Sequence, residues 1–120
     1  MRIDSKAVSS YYRKMRIITL PQYNRIAFLH EAMFNTVRLA IYGEKRYIRS
    51  RLDSVQNILV QLTSIIKTDS DENELANELL LLYDYLYVKL ENEDIASMND
   101  SLQVLSLLHE TFHNLIKKRE

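Results

Sequence analysis

The residues in this sequence most suited to catalysis are His109-Glu110-Thr111-Phe112-His113, which match the H-E-x-x-H pattern. On a helix, two histidines four residues apart project from one face and can bind zinc, while the glutamate acts as a general base. A catalytic zinc needs a third protein ligand, but only seven residues follow His113, and His30 is the one other histidine. Both histidines also lie near the predicted apolar stripe of their helix. We therefore interpret them as flanking a core and expect no metal site.

Other routes to catalysis also lack support in the sequence. A single glycine cannot form a glycine-rich phosphate loop, and the absence of cysteine removes thiolate nucleophiles, disulfides and thiolate metal ligands. No apolar run approaches the roughly 18 residues of a membrane span. The charged residues 1–16 have no apolar stretch behind them, unlike a signal peptide. We expect a cytoplasmic binding protein that is not an enzyme, has no cofactor and does not insert into membranes.

Composition and periodicity predict an all-α protein. The chain has 120 residues, of which 47% are hydrophobic, with one glycine and one proline. Sheet folds need many turn residues, so this shortage favours a few long helices joined by short links. Such links make neighbouring helices antiparallel. The sequence therefore predicts an antiparallel up-down four-helix bundle at residues 19–120, preceded by an N-terminal arm or short extra helix at residues 1–18.

The helix boundaries follow from capping and stop signals. The first helix should start near Pro21 and end at Tyr42, with Gly43 as its stop. The second should cover about 44–67 and the third about 73–91, capped by Ser70 or Asp71. The fourth should cover about 95–118, capped by Asp94. In the second helix, apolar residues at alternating spacings of four and three define a core stripe: Ile48, Leu52, Val55, Leu59, Leu62 and Ile66. The stripes of the third and fourth helices are Leu75, Leu79, Leu82, Leu86 and Leu90, and Met98, Leu102, Leu105, Phe112 and Ile116.

The charges are segregated along the chain. Residues 1–51 carry eleven Lys/Arg and three Asp/Glu, whereas residues 52–120 carry five and thirteen. One interpretation is complementary packing of antiparallel helices. Another is a basic face for an acidic partner. A nucleic-acid binder that uses Arg46, Arg49 and Arg51 remains an alternative, although we expect no nucleic acid among the partners.

Several apolar residues fall outside these core stripes. On the third helix, Leu81, Tyr85 and Val88 lie roughly opposite the core stripe, and Tyr83 and Tyr87 lie on its flank. Others lie off the stripes of the second and fourth helices: Tyr47, Ile58, Ile65, Val104, Leu108 and Leu115. Each stripe singly is as well explained by bundle packing. Together they favour a surface that another helix covers, either in a partner or in a second copy.

Three segments share a pattern with a known family. Glu74-Leu75-Ala76-Asn77-Glu78-Leu79, followed by Leu82-Tyr83-Asp84-Tyr85-Leu86, is similar to E-I-A-x-x-L-x-x-L-Y-D-Y-M. Val55–Leu62 is similar to A-Q-x-I-I-x-x-L, and Tyr12, Ile17 and Thr19 align with Y-x4-V-x-T. In these segments the chain resembles the FliS-type flagellin export chaperones. Leu29-His30-Glu31-Ala32-Met33 aligns with the family's L-Y-D-G-A but departs from it, with His for Tyr, Glu for Asp and Ala for Gly.

The resemblance implies a cytoplasmic helical bundle that binds the C-terminal region of newly made flagellin. Such a chaperone prevents premature polymerisation and delivers flagellin to the flagellar type III export apparatus. The implied partners are flagellin, the export gate protein and other flagellar regulators. In the arm, Tyr12 or its neighbour Tyr11 would cover part of the groove together with Ile17. The full set of expected partner-binding residues is Tyr11, Tyr12, Ile17, Leu29, His30, Tyr47, Ile58, Leu81, Tyr83, Tyr85, Tyr87 and Val88.

Overall fold

The structure is a computed structural model that describes residues 20–67 and 74–119. Its side chains are described from 24 to 67 and from 77 to 114. Several sequence predictions lie outside these residues. They concern the arm with Tyr11, Tyr12 and Ile17, the cap at Ser70 or Asp71, and the side chains of Leu75, Leu115 and Ile116.

The described residues form four α-helices and no strand, which confirms the predicted all-α bundle. The helices are α1 (Leu20–Tyr42), α2 (Ile48–Lys67), α3 (Glu74–Lys89) and α4 (Ile95–Arg119), and a short 3-10 turn (Lys45–Tyr47) leads into α2. Helix α1 packs against α2 and α4, and α3 packs against the same two neighbours, so that α1 and α3 lie diagonally across the bundle. Among the described helices, none is both long enough and apolar enough to cross a bilayer.

The core stripes predicted from periodicity are confirmed at most of their described positions, whereas Ile48 and Leu102 are only partly buried. In α2, Leu52, Val55, Leu59, Leu62 and Ile66 are all buried. The α3 and α4 stripes are buried at Leu79, Leu82, Leu86, Leu90, Met98, Leu105 and Phe112, and α1 contributes Ile26, Met33, Val37 and Ala40. Burying one such Leu or Ile contributes roughly 1.5–3 kcal/mol to folding. This repeated burial on one face of each helix holds the bundle together.

Two predicted helix boundaries have clear physical causes. The Asp94 carboxylate accepts a hydrogen bond from the Ser97 N–H at 3.0 Å, which confirms the cap of α4. This bond also lowers the pKa of Asp94. Gly43 ends α1 as predicted, but its backbone does not have positive φ. A Cβ at this position would collide with the Arg51 guanidinium and with the Leu39 carbonyl oxygen, so close approach is what requires glycine here.

Arginines at the start of α2 bind the C-terminal ends of its neighbours. Arg49 donates hydrogen bonds to the carbonyl oxygens of Leu90 at 2.9 Å and Glu91 at 3.2 Å. Arg51 donates to the Leu39 carbonyl at 2.9 Å. The last carbonyls of a helix lack partners within that helix and carry partial negative charge. Part of the basic first half of the chain therefore neutralises helix ends, and the start of α2 lies beside the ends of α1 and α3, as expected for antiparallel neighbours.

Candidate partner-binding surface

The outward face of α3 carries an apolar stripe, formed by Leu81, Tyr85 and Val88, that no other described residue covers. Their side chains are 60%, 40% and 54% exposed. They lie opposite Leu79 and Leu86, which are fully buried. Their spacings of four and three place them on one face of the helix. The predicted position of this "outer stripe" opposite the core stripe is confirmed, and its exposure is a finding of the structure.

A groove of about 490 Å³ runs beside the outer stripe, between α2 and α3. Its α2 wall is formed by Leu59, Val60, Thr63, Ser64 and Lys67, and its α3 wall by Leu80, Tyr83, Asp84 and Tyr87. Of these lining residues, Val60 is more than half exposed and Tyr87 is about one-third exposed. We call this feature the α2–α3 groove. Its position between two helices and its mainly apolar lining suit an amphipathic helix or an extended apolar segment.

The groove and the outer stripe form one continuous surface. Asp84 lines the groove and also a second depression at the outer stripe, together with Leu81, Tyr85, Val88, Lys89 and Asn92. The Lys89 ammonium lies 5.7 Å from the centre of the Tyr85 ring and 3.3 Å from the Asp100 carboxylate. Charged groups thus border an apolar strip on α3. An apolar centre with a polar rim is the usual anatomy of a protein interface.

Two residues expected at the partner surface are instead in the core. His30 is fully buried, and Tyr83 is only 1% exposed, at the floor of the groove. The His30 Nε2 and the Tyr83 hydroxyl oxygen are 3.0 Å apart, a hydrogen bond across the diagonal between α1 and α3. The prediction that these two side chains face a partner is wrong for this conformation, because each supplies the polar contact that allows the other to be buried.

The surroundings of His30 keep its imidazole neutral. The ring packs edge-on against Phe112, with 4.4 Å between ring centres. Burial lowers the pKa of His30 to about 3, and the nearby His109 adds a smaller effect in the same direction. The Nδ1 atom has no hydrogen-bond partner among the described residues. Protonation would place an unpaired charge in the core, which is costly.

The remaining predicted partner-binding residues divide into half-buried and exposed positions. Leu29 and Ile58 are partly buried and pack against the core, so they offer only part of their surface to a partner. Tyr47 is exposed on the 3-10 turn before α2 and is not part of the α3 surface. The guanidinium carbons of Arg46 and Arg51 lie 4.7 and 5.3 Å from the centre of its ring.

The expected surplus on α4 is wrong for Leu108 and only partly right for Val104. Leu108 is 1% exposed and belongs to the core, and Val104 packs against that core. Helix α4 contacts both α1 and α3, so its buried arc is wider than a single stripe of three-four spacing.

Of the two histidines in the H-E-x-x-H pattern, His109 packs against α1 and His113 is exposed. His109 stacks on Phe34 of α1 with 5.8 Å between ring centres and an interplanar angle of 10°. The rings of His109 and His113 are 6.2 Å apart. In the described part of the chain, no three potential metal ligands come together. The aromatic contact accounts for the position of His109 between α4 and α1.

The arginines considered for nucleic-acid binding make contacts within the chain. Arg46 pairs with Glu44 at 2.9 Å and Arg49 with Asp53 at 2.9 Å, besides the helix-end contacts of Arg49 and Arg51. Their charges are therefore partly committed to the fold.

Sequence reasoning missed a second exposed apolar face, on α1. Phe28, Leu39 and Tyr42 are all more than half exposed. They are eleven and three residues apart, spacings that place all three on one face of a helix, so the sequence did contain a signal for this face.

No family model, no curated protein and no solved structure matches this chain.

Proposed function

We propose that this protein is a flagellar export chaperone that holds the C-terminal segment of flagellin on the α3 surface. The observation that carries the proposal is the outer stripe of Leu81, Tyr85 and Val88, which is exposed beside an open groove. A soluble bundle gains nothing in stability from three large apolar side chains facing water. The resemblance to FliS-type chaperones, strongest at Leu82-Tyr83-Asp84-Tyr85-Leu86, names the partner as flagellin.

The geometry suits a segment that folds as it binds. An amphipathic helix with apolar residues at i, i+3 or i+4, and i+7 could lie along α3 and contact Leu81, Tyr85 and Val88 in turn. The adjacent α2–α3 groove could receive a second part of the same segment. Ordering a disordered chain costs several kcal/mol, so a surface made of a stripe and a groove supports this role better than either feature alone.

The departures from the family pattern in α1 lie mainly away from this surface. His30 is in the core and forms a hydrogen bond with Tyr83 at the floor of the α2–α3 groove. Glu31 is exposed and Ala32 is half-buried on α1, which lies diagonally across the bundle from α3. These three residues therefore do not alter the outer stripe directly.

The test is isothermal titration calorimetry with the C-terminal segment of the flagellin from the same organism. We expect micromolar or tighter binding to the wild-type protein. The double variant Leu81→Ser/Val88→Ser should weaken binding at least roughly tenfold. Truncating a side chain that anchors an interface costs more than about 1 kcal/mol of binding free energy. Leu39→Ser is the matched control, since Leu39 is 55% exposed on the diagonal helix α1. It should leave the affinity unchanged.

Two results would contradict the proposal. Absence of heat with the flagellin segment at micromolar concentrations would remove flagellin as the partner. Equal weakening by the α3 double variant and by Leu39→Ser would show that the segment does not bind on α3. Circular dichroism of each variant is the control for folding.

A further inference from the structure

The outer face of α1 carries an apolar line that is separate from the α3 surface. Phe28, Leu39 and Tyr42 are 67%, 55% and 79% exposed. At 3.6 residues per turn they lie opposite Met33 and Val37, which are fully buried. From Phe28 to Tyr42 the line extends about 21 Å at 1.5 Å per residue. Within the described part of the chain, no element covers these side chains.

This face has an internal symmetry centred on Asn35. Asn35 is exposed, and Phe28 and Tyr42 lie seven residues before and after it, on the same side of the helix. If a second α1 is laid antiparallel across this face with the two Asn35 residues opposed, each Tyr42 lies over the Phe28 of the other copy. Because a two-fold axis repeats each contact, the contact between Tyr42 and Phe28 forms twice in the dimer.

The charges beside the line follow the same symmetry. Glu31 and Arg38 are exposed on one flank of the face, at nearly equal distances from Asn35. They are seven residues apart, about 10 Å along the helix, and so do not pair within α1. Among the described residues neither forms an ion pair. In the antiparallel arrangement each Arg38 faces the Glu31 of the other copy.

We propose that the outer face of α1 is a self-association surface at which two copies of this chain pair antiparallel about Asn35. One helix face supplies less than the roughly 800 Å² per partner of a standard interface, so the dimer is weak and forms at high protein concentration. Because α1 and α3 lie diagonally across the bundle, the dimer leaves the α3 surface open. The inference does not depend on the identity of the partner that binds α3.

Charge reversal gives the decisive test, read by sedimentation velocity over a range of protein concentrations. The wild-type protein should show a concentration-dependent dimer. Arg38→Glu or Glu31→Arg should each weaken dimerisation roughly tenfold at low salt, since either change creates two like-charge contacts. The double variant Arg38→Glu/Glu31→Arg should restore it. Because the two residues are too far apart to pair in one helix, restoration requires contact between copies.

A cysteine cross-link tests the register independently. The chain has no cysteine, so Asn35→Cys introduces a single thiol at the proposed axis. Under mild oxidation it should form a disulfide-linked dimer much faster than Gln103→Cys, which places a thiol on an exposed position of α4. Equal cross-linking rates, a wild-type protein that stays monomeric at millimolar concentration, or a double variant that fails to restore association would each overturn the proposal. A monomer at that concentration would assign the face to a different protein.

Discussion

The two faces of α3 depart from the usual apolar-inside, polar-outside pattern in opposite ways. On the inner face, the Tyr83 hydroxyl is a polar group within the core, where it meets His30 of α1. On the outer face, Leu81, Tyr85 and Val88 are large apolar groups in water. The inner departure is compensated within the chain by the bond between His30 and Tyr83 at 3.0 Å. The outer departure is only partly compensated, by the Lys89 ammonium that lies 5.7 Å from the centre of the Tyr85 ring. Stability should therefore depend on the first pair, and association on the second group.

The largest expected effect is that acid lowers the stability of the fold through His30 on the inner side. The pKa of His30 is about 3 in the folded protein, against an ordinary value of 6.5 in an unfolded chain. Below pH 6.5 the unfolded state binds a proton that the folded state does not. The contribution of neutral, buried His30 to the free energy of unfolding is therefore complete above pH 6.5 and is lost as the pH falls toward 3. The loss is roughly 1.4 kcal/mol per pH unit.

The measurement is urea unfolding, followed by circular dichroism, at several pH values in that window. His30→Leu is the control, because it removes the titrating ring and keeps every carboxylate. The free energy of unfolding of the wild-type protein should fall more steeply with acid than that of the variant. If the free energies of unfolding of the two proteins fell in parallel with pH, protonation of His30 in the folded state would cost little free energy.

The second prediction removes the bond and keeps the histidine. Tyr83→Phe takes away the hydroxyl that contacts His30 Nε2 in the core. Leaving a buried polar group without its partner costs about 1–3 kcal/mol, so the free energy of unfolding at neutral pH should drop by that amount. Tyr85→Phe on the same helix is the matched control. Its hydroxyl belongs to a 40% exposed side chain, and its loss should cost less than about 0.5 kcal/mol.

A double-mutant cycle separates the bond from the bulk of the ring. If Tyr83 and His30 act through their contact, Tyr83→Phe in the His30→Leu background should cost much less than in the wild-type protein. Equal costs in both backgrounds would assign the effect of Tyr83 to another contact.

The fold was predictable because its signals are local. The spacing of Leu52, Val55, Leu59 and Leu62 on α2 repeats at the heptad period, and a chain with one glycine has few other ways to bury such a stripe. Asp94 could be recognised as a cap from its position before an apolar period. Gly43 was placed correctly, but the reason for glycine depends on Arg51, a residue of the next helix.

The candidate site was only partly predictable because exposure depends on neighbouring helices. The outer stripe was found because a position opposite the core stripe stays exposed whatever lies on either side. Tyr83 is four residues after Leu79 and three before Leu86, so its spacing places it with the buried residues, yet its hydroxyl suggested a rim position. Its polar partner, His30, lies 53 residues away on another helix, and no local pattern links the two.

The last and smallest effect concerns the outer stripe in the free protein. Leu81→Ser/Val88→Ser should change the free energy of unfolding by less than about 1 kcal/mol in total, because substitutions at exposed positions usually cost within about 0.5 kcal/mol each. Leu86→Ala on the buried face of the same helix should cost about 2–5 kcal/mol, since it leaves a cavity in the core. Urea unfolding of both variants at neutral pH provides the comparison. If the outer-stripe variant lost as much stability as Leu86→Ala, the free protein would already cover Leu81 and Val88, and a partner would have to displace that cover before it could bind. A small loss instead leaves the stripe available, so that the same substitutions that weaken binding do so without weakening the fold.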